Sequence, residues 1–183
     1  MNVYNMKVIL IMTIFSFMLL GCASPRLPQI SKVPQVDLPK FMGNWYVIAA
    51  IPTMIETESY NAVETYALNK DGSIATTFTF NQGSLDGKLK TYKPRGFVIP
   101  NSGNALWDMQ FIWPIKAEYI IAYLNEDYTQ TIIARNKRDF VWLMARTPTI
   151  SDTEYNELTS LIAKLGYDLS LLRKVPHNQN KHQ

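Results

Sequence analysis

Apolar and polar positions alternate with period two through the middle of the chain and give way to a helical stripe near its end. From Gly43 to about Thr147 the alternating segments are short, as in strands with one buried face. Ile74, Phe78 and Phe80 share one parity against Ala75, Thr77 and Thr79, and Trp107, Met109 and Phe111 stand against Leu106, Asp108 and Gln110. Turn-forming residues separate the segments at 69–72, 82–87, 101–103, 125–127 and 136–139. The spacing predicts eight strands, starting near residues 43, 61, 73, 88, 104, 117, 128 and 139. Such strands with tight loops suit an all-β, antiparallel up-and-down barrel, which leaves no sheet edge unpaired. Ser151 and Glu154 then have the spacing of a capping box, ahead of the stripe Tyr155, Leu158, Leu161, Ile162 and Leu165. Gly166 is the expected stop. The pattern predicts one C-terminal helix packed outside the barrel, with a loose polar tail over 176–183.

The other end of the chain reads as an address. Val8 to Leu20 is an uncharged run of thirteen residues behind Lys7. It is too short for a bilayer core about 30 Å thick, which needs roughly 20 residues, so 1–21 is a targeting segment. It ends in Leu19-Leu20-Gly21-Cys22, and Cys22 is the only cysteine. This resembles the lipobox of bacterial lipoproteins. That implies acylation of Cys22, cleavage after Gly21 and, with no Asp directly after the cysteine, sorting to the outer membrane. Acyl chains at both thiol and amino terminus exceed the two signals that stable anchoring takes. No thiol is then left for a disulfide, a metal or a nucleophile. Residues 22–36 hold three prolines and no apolar period, which predicts a tether ahead of a domain over 37–175.

At 183 residues, with 47% hydrophobic and 18% charged residues, the chain suits one globular domain. The net charge of +3 comes without basic runs, so no nucleic-acid partner is expected. Catalytic constellations are lacking too. The two histidines, His177 and His182, sit in the tail, where a triad cannot be held. Gly83 to Gly87 lacks the lysine of a phosphate loop, and Glu126 with Asp127 reads as a solvated turn. Neither enzyme activity nor a metal or cofactor is expected.

Three separated segments carry a family resemblance. Gly43-Asn-Trp45 is similar to the G-x-W that opens the first strand of lipocalins, Asn125-Glu-Asp127-Tyr128 to their T-D-Y turn, and Trp142 to Pro148, through Arg146, to their arginine segment. Asn125 and Glu126 depart from the pattern. With the lipobox, the chain resembles the bacterial lipoprotein branch of the lipocalin family. The resemblance implies that Trp45 plugs the closed end of the barrel with Arg146 laid across its indole. It also implies an inward wall of Tyr66 and Leu68, Ile74, Phe78 and Phe80, Trp107, Met109 and Phe111, Tyr119, Ile121 and Tyr123, Ile132, and Trp142 and Met144. Period two places Glu64 and Ala62 inside with Tyr66, unless a bulge or slip turns Glu64 out and Val63 in. The alternation alone fits a filled core as well as a cavity; the resemblance implies a cavity for a lipid or other apolar small molecule. It implies binding, storage or transport of fatty acids or lysophospholipids at the outer membrane. A structural or adaptor lipoprotein without a small ligand is the alternative, and a homodimer is compatible with either.

Overall fold

The computed structural model describes residues 27–178. Nine strands run β1 (Gly43–Ile51), β2 (Ser59–Leu68), β3 (Ile74–Gln82), β4 (Lys88–Tyr92), β5 (Arg95–Val98), β6 (Leu106–Ile112), β7 (Ile115–Leu124), β8 (Gln130–Ala134) and β9 (Val141–Ala145). Each pairs antiparallel with its neighbour, and β9 returns to β1, closing a barrel. β4 and β5 both pair with β3 and together make one strand, so the barrel is eight-stranded. The break falls at Lys93-Pro94, because proline has no N–H for the ladder; Pro94 instead accepts from the Thr76 N–H.

The turns at 69–73, 99–105 and 125–129, with the start of β1, make one end of the barrel. The loops at 52–58, 83–87, 113–114 and 135–140 make the other. A one-turn helix, α1 (Leu38–Phe41), lies under the first end and buries Phe41 there. After β9 comes α2 (Asp152–Lys164), whose capping box forms in full: Ser151 Oγ accepts from the Glu154 N–H, and Glu154 Oε2 from the Ser151 N–H. Gly166, at φ +90, ends it in a conformation that costs glycine little. Leu158 and Ile162 of α2 pack on Ile48, Val141 and Leu143, so part of the outer wall is a second core. A two-residue strand, β10 (Arg173–Lys174), then pairs with Ala49 and Ala50 of β1.

That second core corrects two inward positions. Ile132 belongs to the outer cluster, and it is Ile133 that faces the barrel interior. With α2 covering one face, β8 is buried on both sides, so its run Thr131-Ile-Ile-Ala134 has no polar alternation to mark parity. Tyr123 also packs with the outer cluster, because the β7–β8 register shifts between Ile121 and Tyr123. One extra residue reverses the faces of those beyond it. Leu68, at the end of β2, is exposed at the first end of the barrel rather than inside.

The tether is also shorter than its composition implies. From Ile30 onward the segment is docked: the Ile30 N–H donates to Asn136 Oδ1, Val33 N–H to the Ile121 carbonyl, and Val36 N–H to the Gly103 carbonyl. Ile30 and Val36 are buried. The start of the polar tail is held as well, since the Pro176 carbonyl accepts from the Asn61 N–H and Asn178 N–H donates to Asn61 Oδ1. Cys22 and the targeting segment lie outside the described residues.

Candidate functional site

One end of the barrel is locked. Gly43, at φ +93, lets β1 begin against Arg146, whose Nη1 would sit 3.4 Å from any Cβ there. Two residues on, Trp45 is fully buried and donates its indole N–H to the Phe41 carbonyl at 2.8 Å. Arg146 covers the other side of the indole, its guanidinium carbon 3.9 Å from the ring centroid. Its nitrogens donate to the carbonyls of Tyr128, Asn44, Lys40 and Phe41. Tyr128, at φ +57, also accepts from the Asp37 N–H through its hydroxyl. Asn125 Oδ1, one of the departures from the family motif, accepts from the N–H groups of Thr129 and Gln130 and ties that turn. The Asp127 side chain is exposed.

Above this lock the barrel is filled with rings. Phe41, Tyr66 and Trp107 meet at centroid distances of 5.5 to 5.7 Å, and Trp107 stacks on Tyr119 at 5.1 Å. The Tyr66 and Tyr119 hydroxyls share a hydrogen bond of 2.6 Å. Ile74, Phe78, Phe80, Ile121 and Met144 complete this interior with Ile133.

The remaining space is a cavity of about 120 Å³ towards the opposite end. Its walls are Met109, Ala117, Trp142 and Met144, with Phe111, Phe140, Thr53, Glu118 and Arg135 towards the opening and Glu64, Tyr66 and Tyr119 at the inner end. Phe111 is half exposed on the rim. The structure therefore brings Glu64, Tyr66, Met109, Phe111, Tyr119, Trp142 and Met144 to one cavity. It places Ile74, Phe78, Phe80, Trp107 and Ile121 in the packed interior beneath.

Glu64 does face inward: in register it stands between Trp45 and Phe78, and its Oε2 is buried without a hydrogen-bond partner. Burial raises its pKa well above the ordinary carboxylate value, and the nearby Glu56 adds to the rise. Glu56 comes from the loop after β1, and its Oε2 accepts from the Trp142 indole N–H at 3.0 Å. Burial pushes its carboxyl up too, against the opposing pull of bonds from Trp142 and Thr53. The tyrosine hydroxyls are raised as well, first by burial and then by the Glu64 charge. The inner end thus favours a neutral carboxylic acid, which offers an O–H where a carboxylate would be an isolated buried charge.

Glu56, Thr53, Glu118 and Arg135 escaped the sequence reading. Nothing local marks Glu56, which acts on the cavity from outside its lining, through the Trp142 indole that it holds and the charge that it sets near Glu64. Arg135 is held on Asp139 at 3.1 Å and over the Phe140 ring, leaving its buried Nε without a partner. Glu118 accepts from the Asn136 N–H and side-chain amide.

A barrel plugged at one end by a tryptophan under an arginine, with a small apolar cavity at the other, defines a calyx protein. Residues 36–177 match the family described as the Lipocalin-like domain, and the chain belongs to that family. It is 28% identical over 167 residues to temperature-induced lipocalin-1 of Arabidopsis thaliana, covering 82% of this chain and 84% of that one. It is 27% identical over 158 residues to outer membrane lipoprotein Blc of Escherichia coli (strain K12), covering 85% and 88%. The solved structure of insecticyanin from the tobacco hornworm Manduca sexta has a TM-score of 0.66 at 13% identity, covering 85% and 88%, a likeness of fold alone. Among the described residues no helix is long and apolar enough to cross a membrane.

Proposed function

We propose that this lipocalin binds a slim, largely apolar lipid in the cavity and stores or carries it at the outer membrane, to which acylated Cys22 holds it. The observation that carries the reading is an apolar-walled cavity that ends on a buried, unpartnered carboxyl oxygen of Glu64. Apolar walls reward a methylene chain at about 0.8 kcal/mol per buried group before losses of freedom. A volume of about 120 Å³ is small beside the 300–1,000 Å³ usual for drug-sized ligands, which favours a single acyl chain over a ring system. Only part of a long chain fits, because aromatic rings fill the barrel below Glu64. Neutral Glu64 accommodates an uncharged ligand group carrying a hydrogen-bond acceptor, such as an ester or a hydroxyl, and once ionised it repels an anion. The envelope location is supported by the lipobox and by the relatives named outer membrane lipoprotein.

The test is displacement of a fluorescent fatty-acyl probe by lipids, with native mass spectrometry of protein taken from its own host. The wild type is expected to retain a monoacyl lipid and to exchange it for the probe. Ala117→Trp, which fills the cavity from its wall, is expected to lose probe binding while the fold survives by circular dichroism. A folded Ala117→Trp protein that binds the probe like the wild type would place the ligand elsewhere.

A further inference from the structure

We infer that the open end of the barrel faces and touches the lipid bilayer that anchors the chain, so that the cavity opens directly onto a membrane surface. The inference rests on the anchor at Cys22 proposed above and on two independent observations.

The first is where the described chain begins. The Pro28 carbonyl accepts from Arg138, and Leu27 lies at the C-terminal end of α2 beside Gly166; Arg138 and Asn136 belong to the open-end loop 135–140. From there the segment runs down the barrel and reaches the closed end at Val36, against Gly103. Residues 27–30 therefore dock at the rim. Leu27 is five residue steps on from Cys22, which span at most about 18 Å fully extended. The chain takes nine such steps, Leu27 to Val36, to pass from rim to floor, so five cannot carry the anchor round to the closed end.

The second is where the apolar surface lies. Among the described residues, the large hydrophobic side chains left exposed gather at the open end, and only Leu68 is at the closed one. The β6–β7 hairpin tip presents Ile112, Trp113 and Ile115, with Trp113 82% exposed, and the loop after β1 presents Met54 at 92%. Leu171 is exposed two residues before Arg173, which bonds the Thr57 carbonyl of that loop. Apolar side chains left exposed around one rim of a barrel mark an interaction surface, and Trp with aliphatic neighbours suits the bilayer interface. Its position on the end from which the anchor segment leaves makes that surface the bilayer. A lipid can then pass between membrane and cavity without crossing bulk water.

The test uses the acylated protein in vesicles of phosphatidylethanolamine and phosphatidylglycerol. Acylation blocks Cys22, so Trp113→Cys at the hairpin tip and Lys70→Cys at the closed end each accept one environment-sensitive thiol dye. Flotation with the vesicles comes first; protein that does not float overturns the anchor and this orientation with it, while probe binding in the cavity is scored separately. In floated protein, brominated lipids are expected to quench the dye at 113 several-fold more than the dye at 70. Equal quenching, or stronger quenching at 70, overturns the proposal. A triple variant, Ile112→Glu with Trp113→Glu and Ile115→Glu, leaves the cavity lining intact. It is expected to float and to bind the soluble probe normally, but to take up a fluorescent lipid from vesicles about tenfold more slowly. If the dye at 113 is equally shielded without vesicles, and the protein is a dimer that the triple variant dissociates, the patch is a self-interface and the proposal fails.

Discussion

The guanidinium of Arg146 lies on the indole of Trp45, 3.9 Å from the ring centroid, and its three nitrogens donate to four backbone carbonyls. One side chain thus joins α1, the start of β1, the turn before β8 and the end of β9. Trp45→Ala is expected to cost about 3–5 kcal/mol, the range for emptying a buried aromatic site. Arg146→Lys keeps the charge but cannot lie flat or reach several carbonyls, so a loss of about 1–3 kcal/mol is expected. Urea unfolding measures both, and wild-type midpoints would separate the contact from stability.

Gly103 holds the N-terminal segment in place. At φ +63 it sits so close to that segment that a Cβ would fall 2.0 Å from the Pro34 carbonyl oxygen. Gly103→Ala is expected to displace residues 30–36 while the barrel stays folded. Limited proteolysis should then cut the segment between Ile30 and Val36 at a protease dose the wild type resists. Unchanged protection would show that the segment is held from elsewhere.

Glu64 makes stability depend on pH with a definite sign. Its carboxyl is neutral in the folded protein well above the ordinary carboxylate range, because of burial and then Glu56. When the folded pKa is the higher one, the stabilisation is fully present below the unfolded value of about 4.3 and is lost as pH rises through the folded value. Glu64→Gln is therefore expected to unfold like the wild type near pH 4 and to be the more stable protein at higher pH. Glu56, raised in the same direction, leaves some dependence behind. Identical stability profiles for Glu64→Gln and the wild type would remove the buried acid from the account.

The same carboxyl is expected to set ligand choice. Preference for an uncharged lipid over a fatty-acid anion is expected to grow with pH as Glu64 ionises, and Glu64→Gln should flatten that growth. The other titratable groups around it are Glu56, Tyr66 and Tyr119, with Glu118 and Arg135 on the same cavity. Probe displacement at several pH values decides the matter, and a selectivity profile unmoved by Glu64→Gln counts against it.

Cys22→Ser removes the thiol proposed to carry an acyl group. The precursor is expected to stay uncleaved and to lack bound acyl groups by mass spectrometry. Maturation at residue 22 in that variant would contradict the lipobox.

Along the chain, whatever depends on neighbours close in sequence was legible. Period-two alternation marks β3 and β6 because each has one face on rings and one on solvent; it put Phe78 with Phe80 and Trp107 with Met109 on one face, and the family resemblance turned those faces inward. Ser151 and Glu154 announce α2 because a capping box is satisfied within four residues. Gly43, Trp45 and Arg146 pointed to the lock only through their family pattern, since their contact spans about a hundred residues. The tertiary structure decided the rest. Helix α2 buries the outside of β8 and erases the alternation that would have separated Ile132 from Ile133, and a one-residue irregularity in β7 turns Tyr123 outward. Glu56 holds the Trp142 indole from a loop with no local signal, and residues 30–36 dock on Asn136, Ile121 and Gly103, partners more than sixty residues away in the chain. Faces and strand order follow from side-chain periodicity, which is written locally. Which carboxyl is dry, which face a helix covers and which end of the barrel meets the anchor depend on surfaces brought together from distant parts of the chain.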